Sequence, residues 1–116
     1  MIVGIDDAFS GHADVARALA SADRLAGPRV GLTHSPDVAP SLRGQLDLLL
    51  AGHTHCGQIA LALVGRLATM SRHGERYACG EVAGSPRVIV GAGLGTSLLP
   101  LRLGEPPDWW MVTVRS

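Results

Sequence analysis

Short apolar runs alternate with breakers along the first half of the chain. Met1-Ile2-Val3-Gly4-Ile5 is closed by Asp6-Asp7, and an apolar run of this length bounded by carboxylates predicts a buried β-strand. Across residues 14–25 the apolar positions Val15, Ala18, Leu19, Ala22 and Leu25 keep the spacing of an amphipathic helix, which Gly27-Pro28 ends. Arg29-Val30-Gly31-Leu32-Thr33 predicts a second strand that delivers His34 at its tip. Ser35-Pro36-Asp37 suits a turn or helix start, with proline and a carboxylate in the first turn, and residues 38–42 predict one or two helical turns. Residues 46–51 are too short for a free-standing helix and are expected as a third buried strand, stopping at Gly52-His53-Thr54-His55-Cys56-Gly57.

Beyond Gly57 the apolar runs shorten and Gly and Pro recur. Strands are expected over residues 59–64, 75–82, 87–90 and 110–114, with a glycine-rich turn over 91–97 and irregular chain over 100–107. Strand, helix, strand, helix, strand and then several strands predicts a layered α/β fold rather than an all-β barrel.

At 116 residues the chain holds one domain at most. Aromatic residues are only 3% of it while hydrophobic residues are 47%, so the core must be aliphatic. Acidic and basic residues balance at ten each, which gives no electrostatic footprint for nucleic acid or an acidic membrane. No window reaches the roughly 18 apolar residues of a spanning helix, and no signal peptide is legible, so a cytoplasmic location is expected, with any export signal or anchor in a missing N-terminal part. The two cysteines, Cys56 and Cys79, form no Cys-x-x-Cys pair and are expected as reduced thiols.

His34 and the pair His53/His55 each follow a predicted strand. In layered α/β folds the carboxyl ends of strands line the functional crevice, and neutral imidazole is the commonest metal ligand. A His-x-His alone is more often an ordinary polar turn; the surrounding string changes the weighting.

Leu50-Ala51-Gly52-His53-Thr54-His55-Cys56-Gly57-Gln58-Ile59 resembles the C-terminal signature of the calcineurin-like metallophosphoesterases, most closely a branch with Gly-His-Thr-His-Gly-Gly-Gln. Leu32-Thr33-His34-Ser35-Pro36-Asp37 is similar to the family's strand-then-histidine motif. Gly93-Leu94-Gly95-Thr96-Ser97 with Pro100, Arg102 and Pro106-Pro107 is similar to that branch's tail, and Val3-Gly4-Ile5-Asp6-Asp7 to its middle segment. The resemblance implies a layered α-β-β-α sandwich and a site for two divalent ions (manganese, iron or zinc). His34 and His53 would bind one ion and His55 the other, and a metal-activated hydroxide would hydrolyse a phosphate ester, either a phosphodiester or a phosphomonoester.

The family's N-terminal half supplies Asp-x-His, Gly-Asp and Gly-Asn-His motifs. None occurs here, and the chain contains no asparagine. Residues 1–116 are therefore expected to be a single partial domain, the C-terminal half, inactive alone and holding at most one weakly bound ion, because two cations on neutral imidazoles repel without a bridging anion. Completion by an N-terminal half, or self-association, is the expected partnership. Two alternatives stand: a non-catalytic remnant that associates through its exposed sheet, and a mononuclear histidine-based zinc protein.

Arg102 is the candidate contact to a substrate phosphate. Cys56 is expected as a small buried thiol, with a soft metal ligand as the other option. Asp7 is expected to fix its loop and the following helix start, and Asp37 to cap its own turn. His12 and His73 are expected outside the metal set, and Trp109-Trp110 as a packing element.

Overall fold

The computed structural model describes residues 1–23 and 25–115. Its elements are β1 (Ile2–Ile5), α1 (Val15–Ala22), β2 (Val30–Thr33), β3 (Leu48–Ala51), β4 (Ala60–Leu61), β5 (Gly65–Arg66), β6 (Gly80–Val82) and β7 (Arg87–Val90), with short tight helical turns at Pro36–Leu42, His55–Gly57 and Gly74–Tyr77. Five strands form one sheet in the order β1-β2-β3-β7-β6, and β4 pairs with β5 separately. The first four strands run parallel, with Gly4, Leu32, Leu50 and Ile89 in one transverse row. β6 closes the edge antiparallel to β7. This is a mixed α/β fold built on a largely parallel sheet.

Alternation along the strands selects the buried face. Val3 and Ile5 of β1, Leu49 of β3 and Val88 and Val90 of β7 pack with Ala22 of α1 and with Val38, Ala39 and Leu42 of the following turn. β2 offers Gly31 at that level. A Cβ there would lie 2.5 Å from Leu46 Cδ1 and 2.8 Å from Leu49 Cδ1, so the missing side chain makes the room those leucines fill. Helix α1 starts at Asp14, whose carboxylate accepts from the Arg17 amide at 2.9 Å, one of the donors a helix start leaves unpaired.

The expected helix over 14–25 is thus shorter, and the expected strand over 46–51 begins at Leu48. Asp47 just before it turns its carboxylate to the Arg29 amide, 2.8 Å away. The strand expected over 59–64 is a two-residue rung of the β4–β5 hairpin, and of the one expected over 75–82 only Gly80–Val82 is extended. The reason in the second case is that Tyr77 is spent on the core, in a helical turn. The segment 110–114 is not a strand. Its approach is fixed instead by Asp108, whose carboxylate accepts from the Ala92 amide at 2.6 Å and whose amide donates to the Gly93 carbonyl at 3.3 Å. Among the described residues no helix is long and apolar enough to cross a membrane.

Candidate metal centre

The tips of the central parallel strands carry the histidines. His34 follows β2, and Gly52-His53 follow β3; the Gly52 amide donates to the His34 carbonyl at 3.0 Å, which extends the β2–β3 pairing into the site. His34 Nε2 and His53 Nδ1 stand 2.9 Å apart. The His53 ring meets Phe9, at 4.5 Å between centroids, and His34, at 4.7 Å. His34 is exposed and His53 half-buried.

His53 Nε2 is buried and has no hydrogen-bond partner. Burial, followed by the charge of His34, lowers the His53 pKa from its ordinary value; Asp7, the Met70 backbone and Asp37 oppose that shift without reversing it. A neutral imidazole is the form that ligates a cation.

The donors fit one ion. Ligand nitrogens about 2.0–2.1 Å from a zinc ion are roughly 2.9–3.4 Å from each other at right-angled to tetrahedral geometry, and the His34–His53 pair already shows 2.9 Å. They do not complete a two-ion cage. Among the described residues the ligand atoms of His34, His53 and His55 do not gather within 4.8 Å of one another, so the three rings do not face one point. The neighbouring carboxylates are occupied. Asp7 accepts from the Phe9 amide at 3.0 Å and the Ser10 amide at 2.8 Å. Desolvation raises its pKa, but those bonds together with Ser10 and His34 outweigh it and the net direction is down. Asp7 therefore fixes its loop as expected, whereas the helix start belongs to Asp14. Asp37 does not cap its own turn. Ser35 does that, accepting from the Asp37 amide at 3.3 Å, while the Asp37 carboxylate accepts from the Ser71 hydroxyl at 2.6 Å and the Arg72 amide at 3.0 Å.

The loop that carries His53 and His55 is held in an uncommon backbone. His53, His55, Cys56 and Gln58 all have φ between 49° and 66°, left-handed values that cost a residue with a Cβ of the order of 1–2 kcal/mol each. Such backbone persists only where its surroundings over-determine it, and four side chains do so here. The buried Thr54 hydroxyl donates to the Ala78 carbonyl at 2.7 Å. Arg66 Nε donates to the Cys56 carbonyl at 2.9 Å, and its guanidinium pairs with Glu105 at 2.8 Å. Gln58 bridges to the glycine-rich turn, donating to the Leu99 carbonyl at 2.8 Å and accepting from the Ser97 amide at 2.6 Å. Arg102 Nη1 donates to the His55 carbonyl at 3.2 Å. At Gly57 (φ 80°) a Cβ would come within 2.9 Å of the Arg66 side chain, so glycine is required there.

The cysteine expectation is corrected. Cys56 and Cys79 are joined in a disulfide with their Cα atoms 4.6 Å apart, and neither thiol is free. The Thr54–Ala78 hydrogen bond, two residues before Cys56 and one before Cys79, brings the two segments side by side. Cys56, Cys79 and Glu105 also place their ligand atoms within 4.8 Å of one another, but both sulfurs are spent on the disulfide.

Arg102, expected at a phosphate, points its guanidinium into a ring of carbonyls: Gly95 receives Nε–H at 2.9 Å and Ala92 receives Nη2–H at 2.6 Å. His12 contacts Ser10 at 2.8 Å, and His73 meets the Tyr77 ring edge-on at 5.6 Å; both lie outside the histidine pair. The sequence reading passed over Phe9, Thr54, Gln58 and Arg66. Gln58 had a signal, its place in the histidine motif; the other three act through contacts with residues distant in sequence and had none.

No protein-family model matches the chain, and no solved structure does. Curated proteins do. The uncharacterized metallophosphoesterase YkuE of Bacillus subtilis is 36% identical over 118 residues, covering 99% of this chain and 40% of its own length. Phosphodiesterase YaeI of Escherichia coli is 38% identical over 87 residues, 73% of this chain and 32% of its own. An uncharacterized metallophosphoesterase of Aquifex aeolicus is 36% identical over 88 residues, 72% and 31%. The chain thus spans less than half the length of these relatives. Matches of this quality along the whole chain, over a sheet whose strand tips pair the motif histidines, show that it belongs to the metallophosphoesterase superfamily, consistent with a C-terminal portion of that domain.

Proposed function

We propose that the chain supplies the C-terminal part of a metal-dependent phosphoester hydrolase, with His34 and His53 holding one divalent ion and His55 contributing to a second. The observation that carries the reading is the His34–His53 pair, two ring nitrogens 2.9 Å apart at adjacent strand tips. When bound, such ions acidify a water and take up charge from phosphoryl oxygens. The imidazoles present here are neutral donors, so the bridging anion that holds two cations together comes from outside residues 1–116 in this reading. Residues 1–116 alone then hold one ion weakly and do not turn over substrate. A substrate contact by Arg102 would require a phosphate oxygen to displace one of its carbonyl partners.

The test is calorimetric titration of the chain with Mn²⁺ and Zn²⁺ beside His34→Ala and His53→Ala. Uptake of about one ion that both variants lose is expected; equal uptake in all three proteins would refute the assignment. Hydrolysis of an aryl phosphodiester by the chain should be no faster than by His53→Ala, and a clear rate drop in that variant would show that the chain is active by itself.

A second reading is supported by a different observation. Ile2 and Leu32 stand exposed on the sheet face opposite the core, and Leu63 and Leu98 are 99% and 90% exposed elsewhere. Apolar surface of this kind favours association, with a complementing segment or a second copy. Light scattering across a concentration series should show mass rising with concentration, and a constant monomer mass would remove this reading.

A further inference from the structure

We propose that a cavity beside the starts of β3 and β7 binds a small organic phosphate monoester, at a site separate from the histidine pair. The cavity measures about 540 Å³, within the range of small-molecule sites. It is lined by Arg43 on the approach to β3 and by the turn that leads from β6 into β7. His34 and His53 follow the opposite ends of the parallel strands, so the two sites lie at opposite ends of the sheet. Tyr77 and Val88, which belong to the core, also line the cavity. It therefore opens on the side of the sheet that packs with α1, not on the bare face that carries Ile2 and Leu32.

The lining carries positive charge with nothing to balance it. Arg43 and Arg76 both face the cavity, and no carboxylate lines it. Among the described residues the ion pairs are made by Arg29, Arg66 and Arg87, which leaves Arg43 and Arg76 without one. Glu81 on β6 is taken by Arg87 at 2.7 Å. The Arg76 guanidinium is seated on Tyr77, its central carbon 5.3 Å from the ring centre, a cation–π distance. The turn adds donors. The amides of Gly84 and Ser85 reach no backbone carbonyl among the described residues. Guanidinium and amide groups only donate, so the ligand must bring acceptors and negative charge. A phosphate monoester carries about two charges and three acceptor oxygens, and the arginine fork matches phosphate geometry. A carboxylate brings one charge to two cations. The apolar wall of Val82, Pro86 and Val88 leaves room for an organic group behind the phosphate.

The experiment is titration of the metal-free chain with phenyl phosphate, followed by amide ¹H–¹⁵N correlation. The Gly84 and Ser85 signals should shift and saturate, while those of His34 and His53 stay in place. Benzoate and inorganic phosphate should need higher concentrations, and phenol should leave the spectrum unchanged. Arg43→Gln and Arg76→Gln should each weaken binding roughly tenfold or more, the loss of a charged hydrogen bond, and the double variant should abolish it. Both arginines are exposed, so these substitutions leave the core intact. No saturable shift at Gly84 and Ser85 overturns the proposal, and so does unchanged binding in the double variant. Shifts centred on His34 and His53 would place the ligand in the metal centre and overturn it as well. Benzoate binding as tightly as phenyl phosphate would overturn the phosphate assignment, and inorganic phosphate doing so would overturn the organic part. No metal enters the measurement, so its result stands whatever the ion titration of the histidine pair shows.

Discussion

Replacing Thr54 by valine removes one hydroxyl from the interior of the site loop and almost nothing else. Thr54 is 2% exposed, and its hydroxyl donates to the Ala78 carbonyl at 2.7 Å. Valine keeps the shape, so no cavity term enters. What is lost is the hydrogen bond, and what is left is a carbonyl without that donor in a buried place, a loss of about 1–3 kcal/mol. For a chain of this size that corresponds to roughly 4–12 °C in Tm, at about 4 °C per kcal/mol. Urea unfolding followed by circular dichroism reads the change as a lower midpoint at constant slope. Thr54→Ser separates the causes. It retains the donor and loses one methyl, about 1 kcal/mol, so it should be the milder substitution. A valine variant within about 0.5 kcal/mol of the unaltered chain, an ordinary surface effect, would refute the reasoning. A serine variant as damaged as valine would do the same, by showing that methyl packing rather than the hydroxyl holds the loop.

Other predictions follow from single contacts. Reduction of the Cys56–Cys79 bond, which closes a loop of 23-residue separation, should lower stability by roughly 3 kcal/mol, read as a fall in the urea midpoint on adding dithiothreitol; an unchanged midpoint would count against the bond. Because burial lowers the His53 pKa, the unfolded chain takes up a proton there that the folded chain refuses. Stability should therefore decline as pH falls through the ordinary histidine value of about 6.5 and level off below the folded pKa, and His53→Gln should flatten that slope in pH-dependent melts. The Asp7 pKa is lowered, so its contribution is lost separately, at pH below about 3.9. Gly31→Ala places a methyl against Leu46 and Leu49 and should cost about 1–3 kcal/mol by overpacking, measured by the same urea series; a neutral result would mean that those leucines can give way.

How much was legible depends on how local the cause was. β1, β2 and β7 are apolar runs cut off by Asp, Pro or Gly, and their pattern suffices to place them. His34 and His53 at strand tips were legible for the same reason, since His34 directly follows such a run and His53 stands one glycine beyond another. The run at 110–114 carries an equally apolar pattern and is not a strand. Ladder partners make a strand, and here Asp108 spends its contacts on the turn at Ala92 and Gly93 instead.

The sequence by itself determined the order of the elements from β1 to β3, the largely aliphatic core and which imidazoles stand at the strand ends, because runs, breakers and motif spacing act over a few residues. Only the tertiary structure decided that His34 and His53 meet while His55 turns to Arg102, that Asp37 serves residues 71–72, and that Cys56 joins Cys79. Each of these is a contact between residues far apart along the chain. Such contacts are set by how the sheet brings loops together, which no local pattern encodes.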